Sequence, residues 1–133
     1  MNILLDTHIA LWALLDSSKL NNTAIELISD PNNTIYFSAA SIWELNIKYN
    51  SSSNLPFDGN KFQDMCETVG FVELPIFSKH IRELVKLDID PSNPIHKDPF
   101  DRIMLCQSIS ENINFITHDT LINKYNIPSI IYI

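Results

Sequence analysis

The feature that most constrains this chain is its alternation of short, β-prone apolar runs with longer helical patterns. Asn2-Ile3-Leu4-Leu5 reads as a buried strand that ends at Asp6. An apolar helical stretch follows from about His8 to Leu15, and a second helix covers Asn22 to Ser29. Asp30-Pro31 stops it, because proline disfavours helix in the residue before it. Thr34-Ile35-Tyr36-Phe37 is rich in strand formers, and Ser38 is a good N-cap for a helix reaching about Lys48. Ser51 to Asn54 is a polar loop, Asn60 to Thr68 a helix, and Gly70 its stop. Phe71 to Leu74 reads as a short strand. Ser78 is expected to cap a helix with apolar residues at Ile81, Leu84, Val85 and Leu87.

Asp90 to Pro94 is a loop, and Asp98-Pro99 opens a helix to about Ser110, since proline suits the first helical position. Ile113 to Thr117 is the next strand, ending at His118-Asp119. A short helix to about Tyr125 and a strand over Pro128 to Ile133 close the chain. Strands that alternate with helices imply an α/β fold whose central parallel sheet is flanked by helices on both faces. In such sheets ligands bind at the carboxyl ends of the strands. Asp6 and Asp119 each lie just past a strand end, which puts both on the binding edge.

Composition sets bounds. The chain has 133 residues, enough for a single domain over 1–133 with one core, and 45% are hydrophobic. No repeat or long linker divides it. The apolar run Ile9 to Leu15 is too short to span a bilayer, and no basic segment precedes it, so no membrane role or signal peptide is expected. Cys66 and Cys106 are far apart and outside any CxxC pair. They read as reduced, buried thiols of a cytoplasmic protein. Sixteen acids against nine bases give a net charge of −7, unlike a general nucleic-acid binder. A site built on carboxylates is compatible with that charge, because bound metal cancels it locally. With two glycines, Gly59 and Gly70, no dinucleotide or P-loop pattern is possible, and no GxSxG exists.

Five acids stand out: Asp6, Glu44, Asp98, Asp101 and Asp119. Brought together they repel one another and need a cation, for which Mg²⁺ or Mn²⁺ is the natural partner. Such ions promote phosphodiester hydrolysis. Each acid also has an ordinary role. Asp98 suits an N-cap with Asp101 at N3, Asp119 suits a cap, and Glu44 can pair with Lys48 at i, i+4. Asp6, flanked by apolar residues, is the hardest to explain without a site.

Four stretches resemble the PIN-domain nucleases, and more narrowly the toxins of VapBC-type toxin–antitoxin pairs. They are Leu4-Leu5-Asp6-Thr7-His8 with Leu11-Trp12, Ser38 to Leu45 with Ile47-Lys48, His96-Lys97-Asp98-Pro99-Phe100-Asp101-Arg102, and Phe115-Ile116-Thr117-His118-Asp119. Four in the family's order are specific where one is weak. The resemblance implies a PIN-like α/β/α domain and a metal-dependent endoribonuclease acting on structured RNA, often tRNA. It implies Mg²⁺ or Mn²⁺ held by Asp6, Glu44, Asp101 and Asp119, with Thr7 and Asp98 supporting the site. It also implies a homodimer, inhibited by a small antitoxin that inserts into or covers the active-site groove; by their apolar character Phe57, Phe62 and Leu74 are candidates for an interface. His96, Arg102 and His118 are candidate contacts to RNA phosphate, and a surface salt bridge is the plain reading of Arg102.

Two departures exist: Asn50 to Asn54 replaces a glycine-and-basic turn, and His118 stands where a basic residue is usual. The histidines show no zinc spacing. His8 reads as a packed or hydrogen-bonded residue, and Trp12, Trp43 and Phe100 as core. A catalytically silent PIN-like binding module is the main alternative, but it would be expected to lack a ligand. A receiver-like signalling domain would need a second acid after the first strand and an earlier lysine than Lys124.

Overall fold

The computed structural model describes residues 1–51 and 54–133, so Ser52 and Ser53 of the polar loop lie outside the described residues. Five strands form one parallel sheet: β1 (Asn2–Leu5), β2 (Thr34–Ser38), β3 (Val72–Leu74), β4 (Asn114–Thr117) and β5 (Ile130–Tyr132). Their order across the sheet is β3-β2-β1-β4-β5. The helices are α1 (Thr7–Leu15), α2 (Asn22–Ser29), α3 (Ala39–Asn50), α4 (Gly59–Thr68), α5 (Ser78–Ile89), α6 (Pro99–Glu111) and α7 (Thr120–Asn123), with a 3₁₀ turn at Ser17–Lys19. None of the described helices is long and apolar enough to cross a membrane.

The centre of the sheet is β1, and Ile3, Leu4 and Leu5 are all fully buried. Side chains alternate between the two faces of a strand. Ile3 and Leu5 join their register partners Ile35 and Phe37, and Ile116 beside Leu5, on the face covered by α1, α2 and α4. Leu4 and its partner Phe115 belong to the other face, packed by Leu87, Ile103 and Met104 of α5 and α6. Burial on both faces is why the strands read as continuous apolar runs. Each such side chain contributes roughly 1.5–3 kcal/mol. Both thiols are buried and free, and burial pushes each up to about 12, so they are inert packing groups.

Several expectations need correction. Ser78 is the first residue of α5 rather than its cap. The Phe77 N–H donates to His80 Nδ1 at 3.0 Å, so His80 closes that helix start. The buried stripe of α5 contains His80 and Leu87, while Ile81, Val85 and Ile89 point outward at 51%, 63% and 72% exposure. Phe62 and Leu74 are interior and unavailable to an interface. Trp43 is exposed rather than core and meets Phe100 edge-on at 4.9 Å. The last strand begins only at Ile130, because a turn bonds the Ile130 N–H to the Ile127 carbonyl. Gly70, at φ +93°, ends α4 in a conformation that suits glycine.

Glu44 owes its position to α3, and α3 is seated on α4 through Gly59. The Gly59 N–H donates to Asn46 Oδ1 at 2.7 Å. A Cβ at Gly59 would fall 2.1 Å from the Ile42 carbonyl oxygen, a backbone atom that does not yield. Gly59→Ala is therefore expected to cost about 2–3 kcal/mol in a urea melt. An unchanged midpoint would show that the two helices separate freely.

Candidate active site

Chain order runs from β1 to β3 on one side of the sheet and through β4 and β5 on the other. The reversal falls between β1 and β4, and such a switch point opens a crevice at the carboxyl ends of the strands. A cavity of about 310 Å³ lies there. Asp6, Glu44, Asp98, Asp101 and Asp119 all line it, and His8, Trp12, Lys48 and His118 complete its wall.

The ordinary roles of these acids and their convergence are both present. Asp6 caps α1 by accepting the Thr7 N–H at 2.7 Å. Asp98 Oδ1 accepts the N–H groups of Phe100 and Asp101 at 2.9 and 3.2 Å. Asp119 Oδ1 accepts those of Leu121 and Ile122 at 2.7 and 3.1 Å. Helix N-termini favour negative charge, so three acids are fastened where orphan N–H groups need acceptors. Asp101 sits in the first turn of α6 and Glu44 in mid-α3, both buried. Lys48 pairs with Glu44 Oε2 one turn away.

Charge crowding is the main electrostatic fact. Burial pushes the Asp101 carboxyl up to about 9, and Asp6, Asp98, Glu44 and Asp119 add to it. Burial also raises Asp6, against the opposing pull of the Thr117 hydroxyl and the Thr7 N–H. Burial alone would lower Lys48, but its bond to Glu44, with Asp98 and Asp101 nearby, holds it above its ordinary value. Among the described residues, two buried polar atoms have no hydrogen-bond partner: Glu44 Oε1 and His96 Nε2. Leaving such atoms unpaired costs about 1–3 kcal/mol each. A crowd of carboxylates with an unpaired buried oxygen suits a hard divalent cation such as Mg²⁺ or Mn²⁺.

The other candidate residues fall into place unevenly. The Thr7 hydroxyl is buried against the Ser41 hydroxyl at 2.7 Å, so it braces α1 on α3. His96 is 8% exposed, and its ring faces Asp101 and Asp119 rather than solvent. Arg102 is paired with Asp88 and lines a neighbouring hollow, as its plain reading suggested. His118 is exposed on the cavity wall, donates to the Ile133 carbonyl, and stacks on Tyr132. His8 is exposed and packs edge-on against Trp12.

Thr117 escaped the sequence reading. Its hydroxyl donates to Asp6 Oδ2 at 2.7 Å and accepts the Asp119 N–H at 3.0 Å, tying two acids from neighbouring strands. The available signal was a hydroxyl two residues before a capping acid, an arrangement that bonds to local backbone.

The raised Asp101 value fixes the sign of a pH effect. Its folded pKa of about 9 lies above the ordinary 3.8, so the folded chain holds more protons between those limits. Stability of the metal-free protein is expected to be greatest toward the acidic end of that window. It falls as pH rises toward about 9, on the order of a few kcal/mol. Thermal melts in EDTA from pH 5 to 9 check this, and a melting temperature that climbs across the range would overturn it.

A search of the curated proteins finds no match. A PIN domain family model matches residues 3–127. Among solved structures, a chain of VapBC2 from Rickettsia felis, bound to a DNA fragment from its promoter, is similar with TM-score 0.67 at 20% identity. That match covers 99% of this chain and 97% of the other. A chain of VapBC-1 from nontypeable Haemophilus influenzae gives 0.64 at 19%, covering 93% and 92%. A chain of VapBC-5 from Mycobacterium tuberculosis, a member of the VapBC family of toxin-antitoxin systems, gives 0.61 at 17%, covering 99% and 97%. The structural likeness concerns the fold, and the family match spans nearly the whole sequence. This chain belongs to the PIN-domain family.

Proposed function

We propose that this chain is a divalent-metal-dependent endoribonuclease and the toxin of a toxin–antitoxin pair. The observation that carries the reading is the convergence of five carboxylates on one cavity, with a buried Glu44 oxygen left unpaired. Membership of the PIN family and the shared fold of VapBC chains support it.

Asp6, Glu44, Asp101 and Asp119 would hold Mg²⁺ or Mn²⁺. When bound, such an ion supplies positive charge and Lewis acidity for phosphodiester hydrolysis. The remaining work belongs to the chain. Thr117 and the Thr7 N–H orient Asp6, and the α6 N-terminus orients Asp98. Lys48 keeps Glu44 in place and brings a cation to the cavity wall, where a phosphodiester anion must enter. Trp12 and His118, 5.5 Å apart, offer aromatic surface to an unstacked base, the usual mode of single-stranded RNA recognition.

The substrate is structured RNA such as tRNA, and the place of action is the cytoplasm. The reading includes an antitoxin partner and a homodimer. Ile81, Val85 and Ile89 on α5, and Trp43 and Ile47 on α3, are among the exposed apolar side chains available for those contacts.

Incubation of purified protein with total RNA tests the reading. Discrete fragments are expected with Mn²⁺ or Mg²⁺ and none with EDTA. Asp6→Asn, Glu44→Gln, Asp101→Asn and Asp119→Asn should each lower the rate at least about a hundredfold while the chain stays folded. Manganese at a hundred times its dissociation constant should stabilise the native protein by about 2.7 kcal/mol. Folded, inhibitor-free protein that leaves RNA intact in every lane would turn the reading to a catalytically silent binding module.

A further inference from the structure

His96 reaches the acids from the loop before α6, on the side of the neighbouring hollow that it lines with Arg102 rather than inside the acid cavity itself. Its side chain is 5% exposed. Its Nε2 lies 3.4 Å from Asp101 Oδ2 and 3.9 Å from Asp119 Oδ2, yet makes no hydrogen bond to either among the described residues. Ligand atoms of His96, Asp101 and Asp119 all fall within 4.8 Å of one another. Ligands about 2.1 Å from one ion stand about 3.0 Å apart when adjacent and about 4.2 Å when opposite. The two separations from His96 Nε2 lie inside that interval.

The oxygens are also available. Asp119 uses Oδ1 for its two cap bonds and turns Oδ2 toward the imidazole. Asp101 likewise presents Oδ2. A buried histidine nitrogen that faces two carboxylate oxygens within ion-pair distance yet hydrogen-bonds to neither is poorly explained as packing. The same burial leaves the ring little surface to offer an RNA phosphate.

We infer that His96 Nε2 is a ligand of the divalent ion, completing a mixed nitrogen–oxygen set with Asp101 and Asp119. The inference rests on the metal site proposed above. An imidazole donor shifts preference toward transition-metal ions, whereas an all-oxygen set suits Mg²⁺. The site therefore discriminates in favour of Mn²⁺ over Mg²⁺, and His96 is the residue that sets the preference.

The test is Mn²⁺ binding read by electron paramagnetic resonance on the intact chain, without RNA. Loss of the free-ion signal gives affinity and stoichiometry, and pulsed spectra show whether a nitrogen is coupled to the bound ion. Wild type should show ¹⁴N coupling. His96→Asn should lose it and bind Mn²⁺ at least about tenfold more weakly. The Mn²⁺-over-Mg²⁺ preference should narrow in the same variant. His8→Ala and His118→Ala, which remove the imidazoles on the cavity wall, should keep the coupling. Circular dichroism checks folding, and His96→Gln serves if the asparagine variant does not fold.

Bound Mn²⁺ without ¹⁴N coupling overturns the inference and leaves the carboxylate site standing. So does coupling that survives in both His96 variants. Folded wild type that binds no Mn²⁺ at millimolar concentration overturns the metal reading itself.

Discussion

Mutual repulsion among carboxylates is the constraint on which the rest of this structure depends. Five acids line one cavity at the carboxyl edge of the sheet, and the fold must hold them there against their own charge. It does so with helix starts. Asp6, Asp98 and Asp119 each use an oxygen to accept N–H groups that would otherwise be orphaned at the heads of α1, α6 and α7. Capping and site-building are therefore not rival accounts of these residues. Asp119 caps with Oδ1 and turns Oδ2 toward His96, while Asp6 caps with Oδ1 and accepts the Thr117 hydroxyl with Oδ2.

The positions follow from the parallel register. Leu5 of β1 lies beside Ile116 of β4, so the residues that follow each strand emerge together. The Thr117 hydroxyl then joins Asp6 to the Asp119 backbone across that seam. Behind the seam, Ser38 bonds Gln107, and Gln107 in turn donates to the Leu74 and Pro75 carbonyls. This buried chain of polar contacts ties the end of β2 to α6 and the end of β3. Polar groups so enclosed are tolerated because they are paired, and they leave little freedom in how α6 sits.

Much of this was legible in the sequence, for physical reasons. Pro99 after Asp98, Ser38 before an apolar helix, and buried strands ending at Asp6 and near Asp119 are local signals. The structure places α3 directly after Ser38 and α6 directly after Asp98. What local pattern could not supply was packing context. Phe62 and Leu74 read as surface candidates because no periodicity says which apolar residues the two faces of the sheet bury. Ile81, Leu84, Val85 and Leu87 read as the apolar residues of α5 without saying which face is covered, and the stripe containing His80 and Leu87 is the one that meets the interior. The direction of the His96 ring was hidden for another reason. It is set by an irregular loop, where spacing carries no information about orientation.

The capping acids have an evolutionary consequence. A residue that both fastens a helix and faces the cavity is held by two selective pressures, and loss of activity removes only one of them. Asp98 and Asp119 would thus persist in a descendant that had ceased to act on anything, because its helices would still need their caps. Glu44 caps no helix and buries an unpaired oxygen. In a chain without the activity it is a liability to stability, free to drift toward a neutral side chain. Across related sequences, a glutamate at this position is the better sign of a working site, and the more visible aspartates are the weaker one.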